Sequence, residues 1–223
     1  MNIDAVTRHM NTSQTTAMAR DLELGMVGRA IRATAVTADT IDTSATKEKP
    51  FYEYQKEPWL SEPVNPLVTN REQYVAHEKT LNAIDLRLMQ ITYDAYRKEL
   101  IEIHPDLANK KFGFTLDKDA SLKIIDHDNS LTEADRAVLT ESINNFQELK
   151  SMVQANAKML MKLVDHDHET FESRYDLNIE NFHSIIDYDK ILTVGINQME
   201  NEWVWQIQSH AEKISPSYLS VTA

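Results

Sequence analysis

The chain has 223 residues, 42% of them hydrophobic and 26% charged, and 35 acidic side chains outnumber 23 basic ones for a net charge of -12. It has no cysteine and only four glycines, which excludes disulfide scaffolds, thiolate metal sites, thiol nucleophiles and Gly-rich phosphate loops. The acidic balance argues against nucleic acid as a partner, and no apolar run reaches the ~18–20 residues needed to span a bilayer.

Residues 1–49 lack both aromatic residues and proline, and their six basic and six acidic side chains cancel. The whole net charge therefore lies in residues 50–223. A segment without aromatic side chains buries little apolar area per residue, so this arm is not expected to fold alone. It carries one amphipathic pattern: Met18, Leu22 and Met26, with Leu24, Val27 and Ile31, recur at helical steps and predict a helix over about 15–38 whose stripe needs a partner surface. The segment is also crowded with Ser and Thr, from Thr12 to Thr46. In composition it resembles the leaders of substrates of bacterial type III or flagellar-type export, which travel unfolded. No basic n-region leads into an apolar core after Met1, so no Sec-type signal is expected. The expected location is the cytosol before any export, or an assembled particle.

A strap follows over 50–68. Pro50, Pro58, Pro63 and Pro66 alternate with Phe51, Tyr52, Tyr54 and Trp59. Prolines at this density favour extended backbone, and the aromatic side chains would dock the strap on the chain's own helical body or on another subunit.

The body, 69–223, reads as mainly α: a helical bundle with long antiparallel helices and one small β-hairpin. Tyr74, Leu81, Ile84, Leu88, Ile91 and Ala95 recur at heptad steps and predict a helix of about 33 residues, some 50 Å long, ending before Pro105. Phe112–Leu116 and Leu122–Ile125 flank a polar tip and predict a hairpin at about 112–126. Thr132 with Asp135 three residues on predicts a helix N-terminus. The series Leu139, Ile143, Phe146, Val153, Ala157, Leu160, Val164 follows, with Asn144 and Asn145 as an interruption. A last series runs Leu192, Ile196, Met199, Trp203, Ile207, His210, Ile214.

Two clusters could hold a divalent metal, although the reading favours no cofactor. Asp117, Asp119, Ser121 and Asp128 match positions 1, 3, 5 and 12 of a calcium loop, but Leu122 stands where that loop turns on glycine. Asp165-His166-Asp167-His168-Glu169 offers imidazoles and carboxylates, with Asp126-His127-Asp128 as an echo. On a helix His166 and His168 point about 200° apart, so they cannot share one ion without other neighbours. Trp205 lies off the last apolar series and points to an interface.

The expected function is that of a non-enzymatic interaction protein of bacterial or viral origin. It would be an exported effector or appendage component, or a structural subunit whose arm orders on binding. Its partners would be other protein chains, including copies of itself. No catalytic residue is assigned. The interface candidates are Met18, Leu22, Met26, Ile31, Phe51, Tyr54, Trp59 and Trp205; the metal candidates are Asp117, Asp119, Asp128, His166 and His168. The alternatives are a metal-dependent hydrolase using His127, His166 and His168, and an acidic decoy of a basic partner.

Overall fold

The computed structural model describes residues 49–61 and 66–213. The chain divides between Glu48 and Lys49 into two units, and the second is described here. The predicted helix at 15–38, with Met18, Leu22, Met26 and Ile31, lies outside the described residues, as do Pro63 and Ile214.

After a short helix α1 (Pro58–Ser61), the longest element is α2 (Arg71–Ile103). The side chain of Asn70 accepts from Gln73 N at 2.9 Å and caps its start, satisfying a donor that the helix itself leaves orphaned. Pro105 cannot continue the ladder, so α2 ends at Ile103 and the turn α3 (Pro105–Ala108) follows.

A mainly α body forms around one two-stranded antiparallel hairpin. Strands β1 (Phe112–Leu116) and β2 (Leu122–Asp126) pair with Phe114 opposite Ile124. Every β1 residue is buried, whereas Lys123 of β2 is exposed. Phe114 lies 4.9 Å from the Tyr93 ring of α2 and 5.7 Å from Tyr188. Thr132 and Asp135 form the predicted capping box at the start of α4 (Glu133–Asn145). The interruption at Asn144 has a cause. Its side-chain amide accepts from Leu122 N and donates to Leu122 O, so it pairs with β2 as a strand would. The chain then restarts as α5 (Gln147–His166).

Helices α2 and α5 run antiparallel, as matched contacts show. Tyr74 meets His166, Glu78 meets Lys162 and Asn82 meets Asn156. Two short helices, α6 (His168–Phe171) and α7 (Phe182–Ile185), lead to α8 (Tyr188–Thr193). The last apolar series is not one helix. It breaks after Thr193, passes through Gly195 and a 3-10 turn at Ile196–Gln198, and resumes as α9 (Met199–His210). Leu192, Met199, Trp203 and Ile207 are buried, whereas Ile196 is exposed.

The face that α2 buries differs from its most regular apolar series. The buried row is Tyr74, Glu78, Asn82, Leu86, Met89, Tyr93, Tyr96 and Leu100. At 100° per residue this row lies about 130° from the line of Leu81, Ile84, Leu88 and Ile91. That second line faces outward.

Gly113 is the hairpin position with no room for a side chain. A Cβ there would stand 2.7 Å from His127 Nε2 and 2.9 Å from Asp187 Cγ. Gly113→Ala must therefore displace the His127–Asp187 pair, which is 2.7 Å apart. The expected cost is roughly 1–3 kcal/mol, the range for overpacked sites, read as a lower midpoint in denaturant unfolding; an unchanged midpoint would show that the pair is not held against the strand.

Candidate interaction surface and the strap latch

The Asp165–Glu169 run sits where α5 ends, and its members point to separate partners. Asp165 accepts from the Tyr52 hydroxyl of the strap at 2.6 Å. His166 is buried between rings: Tyr54 stacks on it at 5.6 Å, and Trp59 and Tyr74 approach edge-on at 5.9 and 6.0 Å. Asp167 pairs with Lys79 of α2 at 2.8 Å and caps α6 through Thr170 N. His168 lies 2.6 Å from Arg71 at the start of α2. The run therefore latches the strap to α5 through Asp165 and His166, and ties the end of α5 to α2 through Asp167 and His168.

The strap residues Phe51, Tyr54 and Trp59 accordingly contact the chain's own body. Lys158 stands 4.8 Å over the Phe51 ring, a contact of the cation–π type. Beside them opens a cleft of about 260 Å³ lined by Phe51, Tyr52, Lys158, Lys162 and His166. Tyr54 keeps one side open to solvent.

Burial sets the electrostatics of this latch. It pushes the His166 imidazole below its ordinary value, with His168 adding repulsion. It pushes the Asp165 carboxyl up, and the Tyr52 hydroxyl pulls it partly back. Against the cost of burial, the Asp167 carboxyl is held low by Lys79 and Thr170.

The calcium-like positions are likewise separated. Asp119 accepts from Ser121 N at the hairpin tip, where Ala120 adopts φ 61°. Asp117 lies 3.6 Å from Lys123, and Asp128 pairs with Lys111 at 3.2 Å. Among the described residues no group of three or more His, Asp or Glu side chains is placed to hold a metal ion. His127 pairs with Asp187, while His166 and His168 meet the strap rings and Arg71. That pair borders a cleft of about 200 Å³ that also includes His183, Ser184, Lys190 and His210. Ser184 donates to Asn181 O at 2.7 Å, so its hydroxyl is engaged with backbone.

Two exposed apolar features remain. Trp205 is 53% exposed, with His210 edge-on at 5.5 Å. The larger feature is the outer line of α2, where Leu81, Ile84, Leu88 and Ile91 are 37–66% exposed. Scattered surface apolar residues are ordinary, but four aligned on one rigid helix form a continuous stripe. Hydrophobic periodicity picks out this stripe, but it does not show that a second, more polar row is the one buried.

Comparison with protein-family models, curated proteins and solved structures finds no match for the chain.

The latch gives a pH expectation with a definite sign. His166 has a folded-state value below its unfolded one, so the unfolded chain takes up the proton first as pH falls. The stability it contributes is intact above pH 6.5 and is lost as pH drops through that value. The melting temperature should therefore fall between about pH 7 and 5, and His166→Phe should flatten that part of the profile. A variant profile parallel to the wild type would reject this role.

Proposed function

We propose that the chain is an interaction or assembly subunit that works through the outer face of α2. The observation that supports this reading is the exposed Leu81, Ile84, Leu88, Ile91 line. Burying such side chains gains roughly 25 cal/mol per Å² of apolar area, and α2 does not use that gain in its own fold. The helix is anchored on its other side by Lys79–Asp167, Tyr93–Asp189 and the amide of Gln90 on Leu192 O. It can therefore present the stripe without reordering, which keeps the entropic cost of binding low.

The Asp/His clusters support the same reading. Asp165 and His166 are engaged in tying the strap to the body, Asp167 and His168 in tying the end of α5 to α2, and His127 is engaged with Asp187. The export reading rests on the composition of residues 1–49 and enters as a proposal of its own: the arm would address the chain while the body supplies the contact surface.

Two measurements test the role of the stripe. In the purified full chain, Leu88→Ser should leave the melting temperature within about 2 °C of wild type. Leu86→Ala, on the opposite and buried face of the helix, should cost roughly 2–5 kcal/mol. In cells that produce the chain, a photo-crosslinking residue at position 88 should give a heavier covalent adduct, and one at the exposed Glu141 should not. No adduct at 88, or equal adducts at both positions, would defeat the reading.

A further inference from the structure

The outer line of α2 follows a heptad. With Leu81 as the first core position, Leu81, Leu88 and Ala95 take one core site and Ile84, Ile91 and Lys98 the other. The positions that flank such a seam are then Asp85, Thr92 and Glu99 on one side and Thr80, Arg87 and Asp94 on the other. Arg87 and Asp94 are exposed, and among the described residues neither makes an ion pair.

We propose that two copies of this chain pair antiparallel through this face, with Leu88 of each against Ile91 of the other and Arg87 of each against Asp94 of the other. The inference rests on the interaction reading above and names the partner.

Charge decides the arrangement. In a parallel pair each flanking residue meets the one five positions on in the other copy. Arg87 would then face Thr92, and Asp94 would face Glu99, two acids together. In an antiparallel pair the first core site meets the second, and each flank meets the same flank of the other copy. Two antiparallel registers are open. One aligns Leu81 with Ile91 and Ile84 with Leu88, but it sets Arg87 on Arg87 and Asp85 on Asp85 across the dyad. The other aligns Leu88 with Ile91 and Ile84 with Ala95. It places Arg87 beside Asp94 twice by symmetry and Asp85 beside the neutral Thr92. Leu81 then lies under the aliphatic stem of Lys98, which keeps its ammonium in water. Among the flanking residues from Thr80 to Asp94, only this register is free of like-charge contacts.

The seam from Leu81 to Ala95 is about 21 Å long at 1.5 Å per residue. It is therefore a small interface, and a dissociation constant of micromolar order is expected. Two-fold closure leaves no second copy of the stripe exposed, so pairing stops at the dimer.

The absence of cysteine makes the test direct. Full-length Leu88→Cys and Ile91→Cys chains, oxidised separately and as a mixture, should give a disulfide dimer only in the mixture. Sedimentation velocity of the wild type should show a reversible dimer, with Arg87→Asp and Asp94→Arg each weakening it at least tenfold and the double swap restoring it. Crosslinking of Leu88→Cys with itself, or tighter pairing by Asp94→Arg alone, would mean parallel chains and overturn the proposal. Crosslinking of Leu88→Cys with an Ile84→Cys chain would overturn the register. A wild-type chain that stays monomeric up to about 200 μM also overturns it. A position-88 adduct with a different protein, or with the chain's own residues 1–48, would then identify what covers the stripe, and the former would leave the interaction reading standing.

Discussion

In the seam between the two long helices, the side-chain amide of Asn156 donates to Asn82 Oδ1 at 2.7 Å while its own oxygen accepts from the Tyr188 hydroxyl at 3.1 Å. All three groups are buried. A buried amide that loses its partner costs roughly 1–3 kcal/mol, so a slip of α2 along or around α5 would be penalised in a way that slipping one leucine past another is not. This fixes the rotation of α2. Once Asn82 faces α5, Tyr74, Leu86, Met89 and Tyr93 must face inward with it, and Leu81, Ile84, Leu88 and Ile91 must face out. The exposed stripe follows from a polar contact on the opposite side of the same helix.

The latch at the end of α5 extends that control to the strap. His166 receives no compensating charge, and its ring is packed among Tyr54, Trp59 and Tyr74. A neutral imidazole suits such a site, because a charged one would lose its hydration without gaining an anion. The charges are placed one residue to either side, where Asp165 and Asp167 meet Tyr52 and Lys79. Alternation along the chain thus separates one apolar contact from two polar ones within three residues.

Local features were legible in the sequence because their causes are local. Thr132 and Asp135 close a ring spanning three residues, Pro105 stops a helix by lacking an N–H, and the polar tip at Asp117–Ser121 turns within five residues. The choice of buried face was not legible. Hydrophobic periodicity gives the pitch of an element and the line its apolar residues follow, but it does not say which line meets the rest of the chain. In α2 the more regular line, Leu81 to Ala95, is outside, and the inner row contains Glu78 and Asn82, whose partners Lys162 and Asn156 come 84 and 74 residues later. The Asp/His run shows the same limit. Helix geometry sets His166 and His168 about 200° apart only on one continuous helix, and the chain breaks at Asp167, with α5 ending at His166 and α6 starting at His168. That the strap supplies a stack for one and α2 a guanidinium for the other depends on contacts no spacing rule encodes. Gly113 between two phenylalanines signals a close approach, but only the fold identifies Asp187 and His127 as what approaches.

A face held rigid by its own helix and exposed among the described residues has two separable properties. In the proposed dimer the apolar line supplies association energy without regard to orientation, since Leu and Ile contacts are non-directional. Direction comes from the charged flanks, because Arg87 and Asp94 lie seven residues apart on one side of the line while Asp85 and Thr92 occupy the other. Placing opposite signs on a single flank makes the surface complementary to its own reverse and not to its own parallel copy, since reversal brings residue 87 to residue 94 and translation does not. Electrostatic patterns of this kind contribute more to selectivity than to affinity. In the proposed dimer, discrimination among orientations therefore rests on Arg87 and Asp94, two exposed side chains that make no ion pair among the described residues.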